Sequence, residues 1–163
     1  MNIRLATPQD LKALMGIFDY ARCFMQENGN PNQWINGYPA EEFILKEIND
    51  GHCYTCENEN SEIVGTFCFI PGEDPTYAYI EDGEWLNNEP YAVIHRMAGN
   101  GKIKGIADEC LQWSFKQCKN IRVDTHHDNI VMQNILLKNG FKRCGIIYVK
   151  NGTPRIAFQK ITE

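Results

Sequence analysis

One stretch of the sequence combines the residue types of an anion site. A strand predicted over 91–98 breaks at Gly99-Asn100-Gly101, and Lys102 and Lys104 precede Gly105, where a helix is predicted to begin. A glycine-bearing loop before a helix leaves backbone N–H groups unpaired at the positive end of the helix dipole. With the two lysines, this predicts a site for a phosphate or pyrophosphate. An ordinary glycine-rich turn with solvated lysines is the alternative.

Two histidines are the candidates for proton transfer, because an imidazole has an ordinary pKa of about 6.5. His95 lies on the strand before the glycine-rich loop. In a regular strand it would share a face with Val93 and Met97, whereas Arg96 would lie on the other face with a structural role. His126 follows a later strand and is the second candidate, as acid, base or substrate contact. For His95 the alternative is a core histidine.

The elements that would position these residues follow from periodicity and turn signals. A first helix opens at Thr7-Pro8-Gln9-Asp10, a second at Pro39, a third spans 105–118, and a fourth, capped by Asp128, runs to Lys138. Strands are predicted at 2–6, 52–57, 62–70, 91–98 and 121–125, with a closing hairpin at 141–149 and 155–160. The order β-αα-ββ-β-α-β-α-ββ predicts an α/β or α+β sheet with helices on its faces.

Length and charge narrow the classes of function. The chain has 163 residues, which predicts one domain over 1–163. Sixteen basic and 21 acidic residues give a net charge of −5, which argues against general nucleic-acid binding. No apolar run approaches the roughly 20 residues of a membrane span, and the N-terminus lacks a signal peptide. We therefore expect a cytoplasmic protein with no membrane or nucleic-acid partner.

Seven cysteines raise the question of a metal or redox site. Without an export signal, reduced thiols are expected. Cys53 and Cys56 have CxxC spacing, but no second ligand pair follows, and residues three apart in a strand point to opposite faces. His126, His127 and Asp128 are a weak metal candidate because adjacent residues rarely converge on one ion. No metal is expected.

Two motifs resemble those of the GNAT family of N-acetyltransferases. The segment 102–107 is similar to the family's acyl-CoA-binding motif, Gln/Arg-x-x-Gly-x-Gly/Ala, with Lys102, Gly105 and Ala107 in the three defined places. Downstream, the segments 124–129 and 132–141 resemble the strand end and last helix of the family, including the final Gly-Phe. The element order matches over essentially the whole chain.

This resemblance implies a fold, a reaction and a set of cofactor contacts. The fold would be GNAT-like: a mixed, mostly antiparallel sheet with splayed fourth and fifth strands and helices on both faces. The reaction would be direct transfer of an acetyl group from acetyl-CoA to a primary amine in a ternary complex. The residues implied in binding acetyl-CoA are Met97, Ala98, Lys102, Ile103, Lys104, Gly105, Ile106, Ala107 and Asn129.

Two departures from the family pattern concern catalysis. Leu136 stands where many members have a tyrosine that protonates the leaving thiolate, and an aliphatic side chain cannot donate a proton. The loop after the fourth strand is about two residues shorter than usual, so either His95 or Tyr91 falls at the base position. A CoA-binding or regulatory module that has lost catalysis is therefore the alternative function.

The acceptor pocket of such proteins is built near the first two helices and the late strands. Here that implies Trp34, Tyr38 and Tyr77, whose rings would contact an apolar or cationic amine. Sealing of the core edge is the alternative role for these rings. We expect a small-molecule amine or a peptide amine as acceptor, and a homodimer is possible.

Overall fold

The computed structural model describes residues 1–163 and contains one seven-stranded sheet flanked by four helices. The strands are β1 Asn2–Leu5, β2 Cys53–Glu57, β3 Ile63–Pro71, β4 Ala92–Gly99, β5 Asn120–Thr125, β6 Lys142–Tyr148 and β7 Pro154–Ile161. The helices are α1 Leu11–Glu27, α2 Glu41–Asn49, α3 Ile106–Gln117 and α4 Ile130–Lys138. None of them has the length and apolar character that crossing a membrane requires. The predicted order of elements is confirmed.

The helices divide between the two faces of the sheet, and a separate core fills each side. Leu14 and Phe18 of α1 pack with Ile44 of α2 on one face, whereas Leu111 of α3 and Leu136 of α4 pack on the other. The CxxC pair follows this division. Cys53 belongs to the first core and Cys56 to the second, so the two thiols lie on opposite sides of β2 and cannot share one ion.

Helix starts differ in detail from the predictions. Pro8–Asp10 forms a 3-10 turn that leads into α1, and the Asp10 carboxylate accepts the Thr7 backbone N–H at 2.7 Å. Asn129, not Asp128, caps α4: its Oδ1 accepts the Met132 N–H at 3.0 Å. Asn129 is one residue closer to the helix and reaches the amide that Asp128 was expected to satisfy.

The sheet opens between β4 and β5. Its strand order is β1-β2-β3-β4-β5-β7-β6, and β4–β5 is the parallel pair among antiparallel neighbours. Only Ala92 with Ile121 and Val93 with Arg122 are in register. From Ile94 onward, the edge of β4 that faces β5 has no strand partner. The predicted splay is therefore confirmed, and it exposes backbone groups inside the fold.

A bulge in β4 begins where the pairing with β5 ends. On β3, Thr66 and Cys68 are two residues apart, but their partners Ala98 and His95 are three apart, so β4 carries one extra residue. Arg96, with a φ of 54°, lies in the left-handed region at this point. His95 and Met97 were expected to share one face of β4. This is wrong, because the extra residue shifts every later side chain to the other face.

An ion pair holds the bulge against α2. Arg96 Nη2 donates to Glu47 Oε2 at 3.0 Å, and both side chains are more than nine-tenths buried. Arg96 Nη1 donates to the Tyr38 hydroxyl at 3.0 Å, and the guanidinium lies 4.7 Å from the Phe43 ring centroid. These contacts hold Arg96 in a backbone conformation that is itself unfavourable.

We predict that Glu47→Ala destabilises the protein by about 3–5 kcal/mol, because it leaves the buried Arg96 cation without its acid. Glu42→Ala, an exposed glutamate of the same helix, is the control and is expected to change the free energy of unfolding by less than about 0.5 kcal/mol. Urea unfolding followed by circular dichroism measures both. Equal small effects of the two substitutions would show that the ion pair does not hold the bulge.

Candidate functional site

Two cavities meet at the open edge of β4. The first, about 610 Å³, lies beside the segments 33–38 and 74–76, and the second, about 490 Å³, lies beside the glycine-rich loop 99–105. Four residues line both cavities: Met25, Met97, Asn129 and Met132. A ligand in the second cavity can therefore place one end against a ligand in the first.

The second cavity contains most of the predicted anion-binding segment. Ile103, Lys104, Gly105, Ile106 and Ala107 line it. Gly105 caps α3 with a φ of 84°, and an added Cβ would meet nothing within 4 Å, so its backbone conformation, not crowding, requires glycine. Lys102 is exposed and does not line the cavity; its backbone N–H donates to Asn100 Oδ1 at 3.0 Å.

The predicted contacts from β4 and α4 also lie at the cavities. Met97 lines both of them and Ala98 lines the second. Asn129 lines both, but its side-chain atoms are already bonded: Oδ1 caps α4, and Nδ2 donates to Gln33 Oε1 at 2.9 Å. The side chain of Asn129 thus joins α4 to the loop before α2.

The first cavity contains a carboxylate–imidazole pair. Asp74 Oδ2 lies 3.0 Å from His95 Nε2, while Asp74 Oδ1 accepts both the backbone N–H and the hydroxyl of Thr76. Burial alone would raise the pKa of Asp74, but the bonds from His95 and Thr76 outweigh it and lower that pKa to about 2. The carboxylate is therefore ionised and accepts from Nε2, which leaves His95 Nδ1 as the nitrogen that can take a proton.

Asp74 itself was not predicted. It lies in the long connection after β3, and the signal for it was the Asp-Pro-Thr sequence, which is typical of a capped turn. The capped turn is the 3-10 turn Pro75–Tyr77, which holds the carboxylate over β4.

Of the three aromatic residues predicted at the acceptor pocket, two line the first cavity. Trp34 and Tyr38 do so with their rings in edge contact, 6.0 Å apart. Tyr77 does not, since it is only 1% exposed and its hydroxyl donates to Asp124 Oδ2 at 2.7 Å. Burial, and then the charge of Asp124, raise the pKa of Tyr77 well above its usual range. Tyr77 therefore orients Asp124, which does line the cavity.

The second predicted histidine lies outside both cavities. His126 is buried, its ring stacks on His127, and its Nδ1 accepts the Asp128 backbone N–H at 3.0 Å. Burial, followed by the charges of Arg155 and His127, lowers the pKa of His126. We expected this side chain to face the cleft; the turn into α4 instead directs it away. One ligating atom each of His126, His127 and Asp128, the weak metal candidate, lie within 4.8 Å of one another, although His126 Nδ1 already accepts the Asp128 N–H.

The remaining candidates also have structural surroundings. The alternative base, Tyr91, accepts the Asp74 backbone N–H with its hydroxyl at 3.0 Å and lines neither cavity. Leu136 is fully buried in the core beneath α4, so it supplies no proton donor to the site. Arg96, expected to be structural only, lines the first cavity because the bulge turns it there.

The chain matches a known family along most of its length. A family model described as "Acetyltransferase (GNAT) family" matches residues 17–141. A GNAT-family acetyltransferase from Streptococcus agalactiae is 31% identical, with a TM-score of 0.90 over 99% of this chain and 95% of that one. The chain belongs to the GNAT acetyltransferase family. Members of this family generally use acetyl-CoA as the acyl donor and amines as acceptors.

More distant GNAT structures share the fold. A putative acetyltransferase from Staphylococcus aureus is 24% identical with a TM-score of 0.71, each chain being covered to 99%. A ribosomal-protein-alanine N-acetyltransferase from Brucella melitensis is 19% identical with a TM-score of 0.61, over 99% of this chain and all of that one. No curated protein matches the chain by sequence. This GNAT chain is an acetyltransferase.

We predict that in Asp74→Asn the free energy of unfolding changes less between pH 6 and pH 2 than it does in the wild type. Because the pKa of Asp74 falls from 3.8 to about 2 on folding, its contribution is fully present above about pH 4 and is lost as the pH falls through 2. The wild type should exceed the variant by roughly 2 kcal/mol at pH 6 and by almost nothing at pH 2. Urea unfolding at several pH values measures this difference.

The control for that comparison is Asp82→Asn. Asp82 is exposed and has a left-handed backbone conformation, which asparagine also adopts. Its stability should follow that of the wild type at every pH. If Asp74→Asn also follows the wild type at every pH, the carboxylate is not held ionised by His95 and Thr76.

Proposed function

We propose that the protein transfers an acetyl group from acetyl-CoA directly to a primary amine, with both substrates bound at once. The observation that carries this proposal is the junction of the two cavities at the open edge of β4. Met97 and Met132 line both cavities at this point, and the His95–Asp74 pair lines the first. A donor and an acceptor that meet there would have an imidazole beside the attacking amine.

The second cavity is proposed to bind acetyl-CoA. Its pyrophosphate would lie against the backbone N–H groups from Ile103 to Ala107, where the first turn of α3 has unpaired donors and Lys104 adds positive charge. Its pantetheine arm would run along Met97 and Ala98, next to the unpaired edge of β4. This geometry would bring the thioester to the junction of the cavities.

In the proposed reaction, the amine nitrogen attacks the thioester carbonyl carbon and the carbon–sulfur bond breaks. His95 Nδ1 accepts the proton that the amine loses, and Asp74 orients the ring through Nε2. Backbone N–H groups at the open edge of β4 would stabilise the negative charge on the carbonyl oxygen. Solvent would protonate the departing thiolate, because the aliphatic side chain of Leu136 has no acidic proton to donate.

We predict that His95→Gln lowers kcat by about 100-fold or more, because general-base catalysis contributes roughly 10²–10⁴. Thiol release from acetyl-CoA, measured with a panel of primary amines, gives kcat. His127→Gln, an exposed histidine outside both cavities, is the control and should keep its turnover. Full turnover of His95→Gln at every pH would show that His95 is not the base.

Calorimetry with acetyl-CoA separates this proposal from the non-catalytic alternative. Binding accompanied by thiol release with an amine supports an acetyltransferase that acts at this site. Binding without release for any amine would favour a CoA-binding module that has lost catalysis. Absence of binding would contradict both.

We predict that Gly105→Ala raises the KM for acetyl-CoA by about tenfold while changing kcat little. A side chain at a φ of 84° costs roughly 1–2 kcal/mol, so the loop would move its N–H groups to relieve the strain. Gly51→Ala is the matched control, because Gly51 has a φ of 76° and open space but lines neither cavity. Steady-state kinetics should show an altered KM for the first variant only; equal effects would remove Gly105 from the donor site.

A further inference from the structure

Arg155, near the start of β7, is a buried cation without an acidic partner. It is only 7% exposed, yet it lines the first cavity. No carboxylate oxygen lies within 4.0 Å of its guanidinium nitrogens. A buried charge without a partner is costly, so its position at a cavity suggests that a ligand supplies the missing anion.

The hydrogen bonds of Arg155 leave two donors free. Nη1 donates to Thr153 Oγ1 at 3.1 Å and to the Pro154 carbonyl at 2.9 Å, and Nη2 donates to the Gln33 carbonyl at 3.4 Å. A guanidinium has five N–H donors, so one at Nε and one on Nη2 make no bond within the chain. Two donors of one planar group are what bidentate binding of a carboxylate uses.

The two other well-buried arginines have different surroundings. Arg96 is paired with Glu47. Arg122 lies between the rings of Trp85 and Tyr91, 4.1 and 4.0 Å from their centroids, and lines neither cavity. Arg155 therefore differs from both, since it has neither an acidic partner nor aromatic rings on its two sides.

Three neighbouring strands place Arg155 in line with the catalytic candidates. His95 of β4 and Asp124 of β5 both lie beside Tyr77, whose hydroxyl donates to Asp124 Oδ2 at 2.7 Å and whose ring centroid is 6.3 Å from that of His95. Asp124 pairs with Ala157, so Arg155 lies on the same face as Asp124, one step further along the cavity. The sequence from β4 to β7 is thus imidazole, carboxylate and guanidinium.

The first cavity is lined by charges of both signs. Asp74 and Asp124 lie near the imidazole, where an amine would react, and they suit a positively charged or neutral amine. Two cations without an acidic partner, Arg155 and the exposed Lys150, line the same cavity. Burial lowers the pKa of Arg155, and the nearby Asp124 charge partly offsets this. An acceptor that is positive at one end and negative at the other would match this arrangement.

We propose that the acceptor carries a carboxylate as well as its amine, and that Arg155 binds this carboxylate and so determines acceptor class. The acceptor would be an amino acid or a related amino carboxylate. A carboxylate fits better than a phosphate, because Arg155 has two free donors and lies near Asp124, whose charge would repel a second negative charge. This inference rests on the proposed acetyl transfer.

The experiment compares amines that differ only in charge at one end. Leucine and phenylalanine are assayed against their amides, γ-aminobutyrate against butylamine, and phosphoethanolamine represents a phosphate-bearing amine. For at least one pair, wild-type kcat/KM should favour the carboxylate by about 10- to 100-fold, the range expected of charged hydrogen bonds. Arg155→Gln should bring that ratio close to one, mainly by raising the KM of the carboxylate, and Arg155→Lys should restore part of it.

Arg143→Gln is the control, because Arg143 is exposed on β6 and lines neither cavity. Its ratio should equal that of the wild type, and thermal melts of all variants verify folding. Equal use of acids and amides by an active wild-type enzyme would overturn the inference while leaving acetyl transfer intact. A preference for phosphoethanolamine would overturn the choice of carboxylate.

Binding separates failure of the inference from failure of the proposed function. If no amine is acetylated, the proposed function fails, and the same compounds are then tested by thermal shift with CoA present. Stabilisation of the wild type by the carboxylates and not by their amides, lost in Arg155→Gln, would still support the anion site. Absence of any such difference would overturn it.

Discussion

The extra residue of β4 is the irregularity on which the site depends. It lies between the pairs His95–Cys68 and Ala98–Thr66 and gives Arg96 a left-handed backbone. The Glu47 carboxylate and the Tyr38 hydroxyl accept hydrogen bonds from the Arg96 guanidinium and hold it in place. The pairing of β4 with β5 ends just before this bulge, and the two cavities meet along the open edge that follows.

The charged groups around the first cavity are held by different means, and the differences match their roles. Glu47 neutralises Arg96, so that pair supports the backbone. Asp74 is bound on one oxygen by Thr76 and on the other by His95, which keeps an imidazole nitrogen directed and available. Asp124 accepts a hydrogen bond from the Tyr77 hydroxyl.

The features that could be predicted from the sequence are those that depend on residues close together in the chain. The entry to α3 through Gly105 and the order of the elements follow from local periodicity, and both agree with the structure. The bulge could not be predicted, because the partners of Arg96 are 49 and 58 residues away. Tyr77 and His126 carry reactive groups in plausible positions, but distant acids and turn amides satisfy them inside the fold. Asp74 was missed for the converse reason, since its partner His95 is 21 residues away.

The start of the loop over the first cavity is attached through Gln33. Gln33 Oε1 accepts Asn129 Nδ2 at 2.9 Å and Asn30 Nδ2 at 2.9 Å, and its carbonyl accepts Arg155. The residues that follow, from Trp34 to Tyr38, are held separately, because Arg22 of α1 donates to the Gly37 and Tyr38 carbonyls and Arg96 donates to the Tyr38 hydroxyl. The start of the loop therefore follows α4 and β7, whereas its aromatic end follows α1 and the bulge of β4, so a shift between these two sets of elements would change the width of the first cavity.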